Sequence, residues 1–303
     1  MRIGNTEIEL SPPAAGTVEW IGGEDLLEQV LACWTVVTPQ DRPLCPRLVG
    51  RPGMGKTTLA QAAAQRLGRP CWIVQCTADT RPEDLVVTPV LGTGGEIRYR
   101  ASGLATAVLE GGVCILDEAN RMPEKSWASL APLLDHRRYL DSLVAGVRLE
   151  AHEGFRCCVT MNEDASTFEV PEYILSRIQP QIELRYPDPE EELQILQYHV
   201  DFAPESLLRM TADFLQESHR HRLDYSTRDG VHILRYAIRL HRVLGEDLED
   251  AFHRAVAQVL GPDAEDFEKR KAALIDDRFT DFGELFGLEG LEEDDEEEED
   301  AAG

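Results

Sequence analysis

The residues best suited to chemistry stand in two short runs. Gly50-Arg51-Pro52-Gly53-Met54-Gly55-Lys56-Thr57-Thr58 fits the phosphate-loop pattern, GxxxxGK followed by Ser or Thr, directly after the apolar run that ends at Gly50. Glycines at these positions permit backbone angles that turn successive N–H groups inward around a phosphate, and a following helix N-terminus adds a favourable dipole. Gly50, Pro52, Gly53, Met54, Gly55, Lys56, Thr57 and Thr58 are the expected nucleotide-binding set. Within it, Lys56 neutralises the β- and γ-phosphates and the Thr57 hydroxyl ligates Mg²⁺. The second run is Val113-Cys114-Ile115-Leu116-Asp117-Glu118, an apolar strand ending in two carboxylates. Asp117 is expected to hold Mg²⁺, and Glu118 to orient and deprotonate a water. Together the two runs imply hydrolysis of ATP rather than simple binding.

Chemistry of this kind needs a rigid frame, and the apolar pattern supplies one. Strands are expected at 47–50, 70–76, 113–116, 157–161 and 182–186, and helices at 24–37 and 57–67. Short apolar runs separated by helices indicate a parallel sheet covered on both faces, hence an α/β fold. Residues 1–19 read as an extended arm, with Ile3, Ile8 and Leu10 alternating before Ser11-Pro12-Pro13. A boundary is expected at Pro187. Asp188 is a good N-cap, Pro189 suits the first helical position, and Glu191 stands three residues after the cap. Beyond it only helical periods occur, so the division is a core over 1–187, an all-helical domain over 188–261 and an acidic remainder over 262–303.

With 30 basic and 56 acidic residues the net charge is −26, and nine of those acids form the unbroken run 292–300. Phosphate-backbone binding needs a basic surface, so this balance argues against nucleic acid as the main client. No apolar run is long enough to cross a membrane. The first residues lack the order of a secretory signal, so a cytoplasmic protein is expected. Seven cysteines without a CxxC pair, and eight histidines without metal-ligand spacing, read as reduced thiols and ordinary side chains.

Two further stretches carry a family resemblance. Asp117-Glu118-Ala119-Asn120-Arg121-Met122-Pro123 resembles the DEINRAPP stretch of MoxR-type AAA+ ATPases, and Phe155-Arg156-Cys157-Cys158-Val159-Thr160-Met161-Asn162 resembles their sensor-1 segment. The resemblance runs from about Trp20 to Leu260 and takes in the MoxR, CbbQ and NorQ group. It implies a P-loop NTPase αβα core, a helical AAA+ lid, and assembly into a ring of copies of this chain, a hexamer in the family. By position it implies that Asn162 is sensor 1, Arg228 in Ser226-Thr227-Arg228 is sensor 2, and Arg177 is an arginine finger serving the neighbouring subunit. Here Ser176-Arg177-Ile178 replaces the Asp-Arg-Phe common in MoxR proteins, so the finger matches less closely than the loop. Trp20-Ile21-Gly22 resembles the segment beside the adenine. Residues 77–111 resemble the insertion in helix 2, with Gly92 to Gly95 as a hairpin tip, and 140–150 resemble the hairpin before sensor 1.

The implied function is remodelling or activation of a client protein, with ATP and Mg²⁺ as cofactors and a von Willebrand A-type adaptor as partner. The alternatives are the motor of a McrB-like nucleic-acid machine and a nucleotide-gated switch with little turnover. The paired Asp117 and Glu118 disfavour the switch. The tail, with Phe279, Phe282 and Phe286 followed by Glu289 to Asp300, reads as a solubilising end or a recognition segment.

Overall fold

The structure, a computed structural model, describes residues 1–92, 94–163 and 169–264. The expectations for the tail, and for residue 93 of the expected hairpin tip, lie outside the described residues.

Eleven strands are described, β1 Arg2–Ile3, β2 Thr6–Glu9, β3 Arg47–Gly50, β4 Cys71–Gln75, β5 Val87–Leu91, β6 Ile97–Ala101, β7 Val113–Asp117, β8 Tyr139–Ser142, β9 Val147–Glu150, β10 Arg156–Asn162 and β11 Gln181–Glu183. The helices are α1 Glu24–Trp34, α2 Lys56–Arg66, α3 Gly103–Glu110, α4 Glu124–Leu134, α5 Glu172–Leu175, α6 Pro189–His199, α7 Glu205–Arg220, α8 Thr227–Leu244 and α9 Leu248–Leu260.

The central sheet has the order β11-β3-β10-β7-β4, and all its pairings are parallel. Strand alternation decides which face each residue feeds. On β7, Val113 and Ile115 enter the cluster built with Leu27, Val30 and Trp34 of α1 and Leu59, Ala60 and Ala63 of α2. Cys114 and Leu116, between them, enter the opposite cluster with Leu104 and Val108 of α3 and Trp127 and Leu130 of α4. The result is the three-layered α/β core of a P-loop NTPase. Burying a side chain such as Leu59 or Ile115 contributes roughly 1.5–3 kcal/mol. The alanines of α2 let that helix lie close to the sheet, which fixes where the phosphate loop opens.

Helices α6 to α9 share a separate core of Leu196, Leu207, Phe214, Leu234, Ala237 and Phe252. They form a helical lid on the α/β core. At the start of α6 the capping box is present: Glu190 and Glu191 donate backbone N–H groups to Asp188, and Glu191 returns a carboxylate to the Asp188 N–H.

Two sequence expectations change. The N-terminal segment is not a free arm. Its strands join a second sheet of order β1-β2-β6-β5, in which β2 runs parallel to β6 and buries Ile8. The partner strand lies about 90 residues away in the 77–111 segment, and no local pattern announces a pairing at that distance. Helix α1 stops at Trp34, short of Val37, which is 81% exposed. The β-branched run Thr35-Val36-Val37-Thr38 before Pro39 favours extended backbone there.

Candidate functional site

The phosphate loop leaves β3 at Gly50 and enters α2 at Lys56. Gly53 and Gly55 hold φ of +84° and +81°, angles that disfavour a side chain. Lys56 is buried, and its Nζ donates to the carbonyls of Gly50 and Arg51, both at 2.7 Å. Burial lowers its pKa to about 8, while the nearby carboxylates of Asp117 and Glu118 act in the opposite direction.

Parallel register brings the remaining residues to the same end of the sheet. Gln75 stands opposite Asp117, and Asn162 opposite Gly50. The Thr57 hydroxyl donates to Asp117 Oδ1 at 2.5 Å, and the Thr160 hydroxyl donates to the same oxygen at 2.7 Å. The Glu118 backbone N–H donates to Thr160 Oγ1 at 2.9 Å. Its carboxylate accepts from Asn162 Nδ2 at 2.9 Å and from Arg121 Nε at 2.8 Å. Asn120 fixes Asn162 in turn, donating from Nδ2 to its carbonyl at 2.8 Å. Glu118 has φ of +53°, a left-handed backbone costing roughly 1–2 kcal/mol for a non-glycine residue. The hydrogen bonds to Thr160, Asn162 and Arg121 hold it there, aiming its side chain past the end of β7.

The lid closes the other side. A Cβ added to Gly53 would lie 2.4 Å from Ser226 Oγ and 3.2 Å from Arg228 Cβ, so the start of α8 rests on the phosphate loop. Arg51 forms an ion pair with Asp224 just before that helix. Between core and lid lies a cavity of about 590 Å³, lined among others by Trp20, Met54, Gly55, Tyr186, Thr227 and Arg228. Its size suits a small-molecule ligand. Glu191 ties the two sides together, accepting from the Gly23 N–H at 2.7 Å while capping its own helix.

The structure thus brings the loop residues, Asp117, Glu118, Asn162 and Arg228 to one place. Arg177 stands apart from them. Its partners are Asp135, at 3.4 Å, and the Tyr173 carbonyl. Thr160, Asn120 and Arg121 lie inside stretches that the sequence marks, without a role of their own there, and Glu191, expected as a capping residue, has the bond to Gly23 as a second role. A threonine in the otherwise apolar run 157–161 was a usable signal.

Mg²⁺ fits these residues. Among the described residues no cluster of three or more His, Cys, Asp or Glu forms a cage. Mg²⁺ does not need one, since it keeps waters and is held through one or two carboxylates and the substrate phosphates. Thr57 and Asp117 present two hard oxygen donors already in contact. The cysteines are all free and buried, and burial pushes the Cys33 thiol up to about 11 and the Cys71 thiol up to about 12. Such thiols are chemically inert.

The geometry agrees with the relatives of the chain. The family model for the AAA domain of the dynein-related subfamily matches residues 47–178. Protein NorQ of Paracoccus denitrificans is 31% identical over 173 residues, 55% of this chain and 61% of that one. Residues 47–178 thus match an AAA domain, and the chain is similar to proteins of the MoxR/CbbQ/NorQ branch. Protein CbbQ of Hydrogenophilus thermoluteolus is 34% identical over 115 residues, 38% of this chain and 43% of that one. The alignments therefore span about half the length of these relatives. Among solved structures, the RuvB Holliday junction branch migration motor of Thermotoga maritima superposes with a TM-score of 0.53 at 16% identity, covering 81% of this chain and 72% of that one. At that identity the likeness concerns the fold alone.

One prediction follows from the lid contact. Gly53→Ala places a methyl group against Ser226 at a backbone angle unfavourable to alanine. Mg-ATP affinity is expected to fall on the order of tenfold or more, since about 1–2 kcal/mol of strain accompanies the clash. Calorimetric titration of the folded variant, verified by circular dichroism, checks it.

Proposed function

We propose that this chain hydrolyses Mg-ATP in the cleft between core and lid, and that copies of it in a ring use the cycle to remodel or activate a client protein. One observation carries the catalytic part: the hydrogen-bonded path Thr57–Asp117–Thr160–Glu118–Asn162, which links the phosphate loop to the ends of β7 and β10.

Lys56 and the loop N–H groups bind the β- and γ-phosphates, and Arg228 adds positive charge from the lid. Thr57 and Asp117 hold Mg²⁺, which when bound neutralises charge on the phosphate oxygens. Glu118 accepts a proton from the attacking water, with Asn162 and Arg121 setting the direction of its carboxylate. Positioning and charge neutralisation of this kind suffice for phosphoryl transfer. Nucleotide-dependent contact between Arg228 and the phosphates would move α8, and the lid with it, against the core.

The mechanical part rests on the family. Client remodelling and a von Willebrand A-type adaptor are what the resemblance to MoxR-type ATPases implies. The described helices include none long and apolar enough to cross a membrane. Buried free thiols suit a reducing compartment, in keeping with a cytoplasmic location.

A trans role for Arg177 is tested by mixing Arg177→Ala with Lys56→Ala. Each alone is expected to be inactive, and mixed assemblies are expected to regain phosphate release. Failure at every ratio contradicts the trans finger. If DNA stimulated turnover and client proteins did not, the nucleic-acid motor would replace the remodeller.

A further inference from the structure

Behind the cavity wall lies a buried pair that the catalytic scheme does not use. Glu192 on α6 has a side chain with 0% exposure, and that of His219 on α7 is 9% exposed. Glu192 Oε1 accepts from the Thr227 hydroxyl at 2.8 Å, and Oε2 accepts from Gln216 Nε2 at 2.9 Å. The same Gln216 nitrogen donates to the Pro187 carbonyl at 3.0 Å, at the junction of core and lid. His219 Nδ1 faces Glu192 Oε2 at 3.8 Å. The stacked ring of Tyr186, 3.7 Å away and tilted by 17°, fixes the imidazole plane.

Proton positions follow from the partners. His219 Nε2 lies 2.7 Å from the Tyr225 carbonyl, which can only accept, so Nε2 carries a hydrogen. In a neutral ring Nδ1 is then a lone pair, and it is buried without a hydrogen-bond partner. A lone pair facing a carboxylate oxygen is repulsive unless one proton lies between them.

That proton bears on the ATP site. Thr227, held by Glu192, immediately precedes Arg228. Tyr186, Thr227 and Arg228 all line the cavity, and Ser226 rests on Gly53. We propose that Glu192 and His219 hold one proton between them and act as a positioning pair, fixing the start of α8, and with it Ser226 and Arg228, against the phosphate loop. The inference rests on the ATPase reading given above.

Burial supports it in direction. It raises the Glu192 carboxyl to about 7 and lowers the His219 imidazole. The other titratable groups around the pair are Tyr186 at the junction, Tyr225 and Asp229 beside the start of α8, and Arg51 of the phosphate loop, itself paired with Asp224. Among the described residues no lysine or arginine forms an ion pair with Glu192. A raised carboxyl contributes stability that is complete below its unfolded value, near 4.5, and is lost as pH rises toward about 7. Above that range the ionised carboxylate opposes Nδ1 and the start of α8 loosens.

The test is the pH profile of KM and kcat for Mg-ATP, using the full chain. In the wild type, KM is expected to rise on the order of tenfold as pH crosses about 7. Glu192→Gln accepts from Thr227 through its oxygen and donates to Nδ1 through its amide, whose second hydrogen requires the Gln216 amide to turn its oxygen inward, so KM is expected to lose its inflection near 7 and stay flat with pH. Glu192→Leu, which can do neither, is expected to raise KM at every pH. A flat wild-type KM, or an unchanged inflection in Glu192→Gln, overturns the proposal. Absence of wild-type turnover at every pH would instead overturn the ATPase reading. The ¹⁵N shift of His219 Nδ1 then decides the pair alone: a transition near neutrality that Glu192→Gln abolishes supports it, and a transition that survives overturns it. The same measurement serves if Glu192→Leu fails to fold.

Discussion

Glu118→Gln is expected to lower kcat for ATP hydrolysis by about 10²–10⁴-fold, the range associated with loss of a general base, while Mg-ATP binding is retained. The geometry explains the separation of the two effects. The hydrogen bonds described for Glu118 run to residues outside the phosphate loop. Its carboxylate is held by Asn162 and Arg121, and its backbone by Thr160. A glutamine can still accept from Asn162 or Arg121 through its oxygen, so the left-handed turn at 118 and the end of β7 should persist. What disappears is the ability to take a proton from water. Lys56, Thr57 and Asp117 remain as they were, and the nucleotide still binds. Filter binding of labelled ATP beside phosphate release checks both halves. Parallel loss of binding and turnover would mean that Glu118 is structural.

Lys56→Met is the second large effect, and it should act in opposite directions on binding and stability. Charge-assisted hydrogen bonds are worth about 1.5–3 kcal/mol each. Losing the ammonium beside two phosphates should therefore weaken ATP binding on the order of 10²-fold or more. Yet the fold does not favour that charge. Desolvation holds Lys56 at about 8, below its ordinary 10.5. With the folded pKa depressed, the charged form is disfavoured by folding, and this cost is complete below about pH 8 and fades toward 10.5. Methionine keeps the apolar stem and has no charge to bury, at the loss of the two bonds to Gly50 and Arg51. The melting temperature near neutral pH is expected to be equal to or above that of the wild type. Scanning calorimetry without nucleotide checks it, and a markedly lower value would show that the two carbonyl contacts outweigh desolvation.

Much of the core could be read in the chain because its signals are local. The strand at 113–117 is an unbroken apolar run ending in carboxylates, and the loop at 50–58 carries its glycines at fixed spacing. The Asp188 cap is likewise contained within four residues. What escaped depends on distance. The partner of β2 is β6, and the partner of Glu191 is the Gly23 N–H, 168 positions away. Thr160 is a modest polar residue until parallel register sets it beside Asp117. In the sequence Glu192 is one acid among three at the start of α6, in the row Glu190, Glu191, Glu192. Only packing against α7 and α8 separates it from its solvated neighbours. Hydrophobic periodicity finds elements, but it does not report which polar group an element will bury.

The most direct measurement is steady-state release of phosphate from Mg-ATP by the full chain over a dilution series, with Glu118→Gln in parallel. Saturable release by the wild type, absent from the variant and rising per chain with protein concentration, is the predicted result. A wild type that binds ATP stoichiometrically, yet releases no more phosphate than Glu118→Gln, would contradict the account.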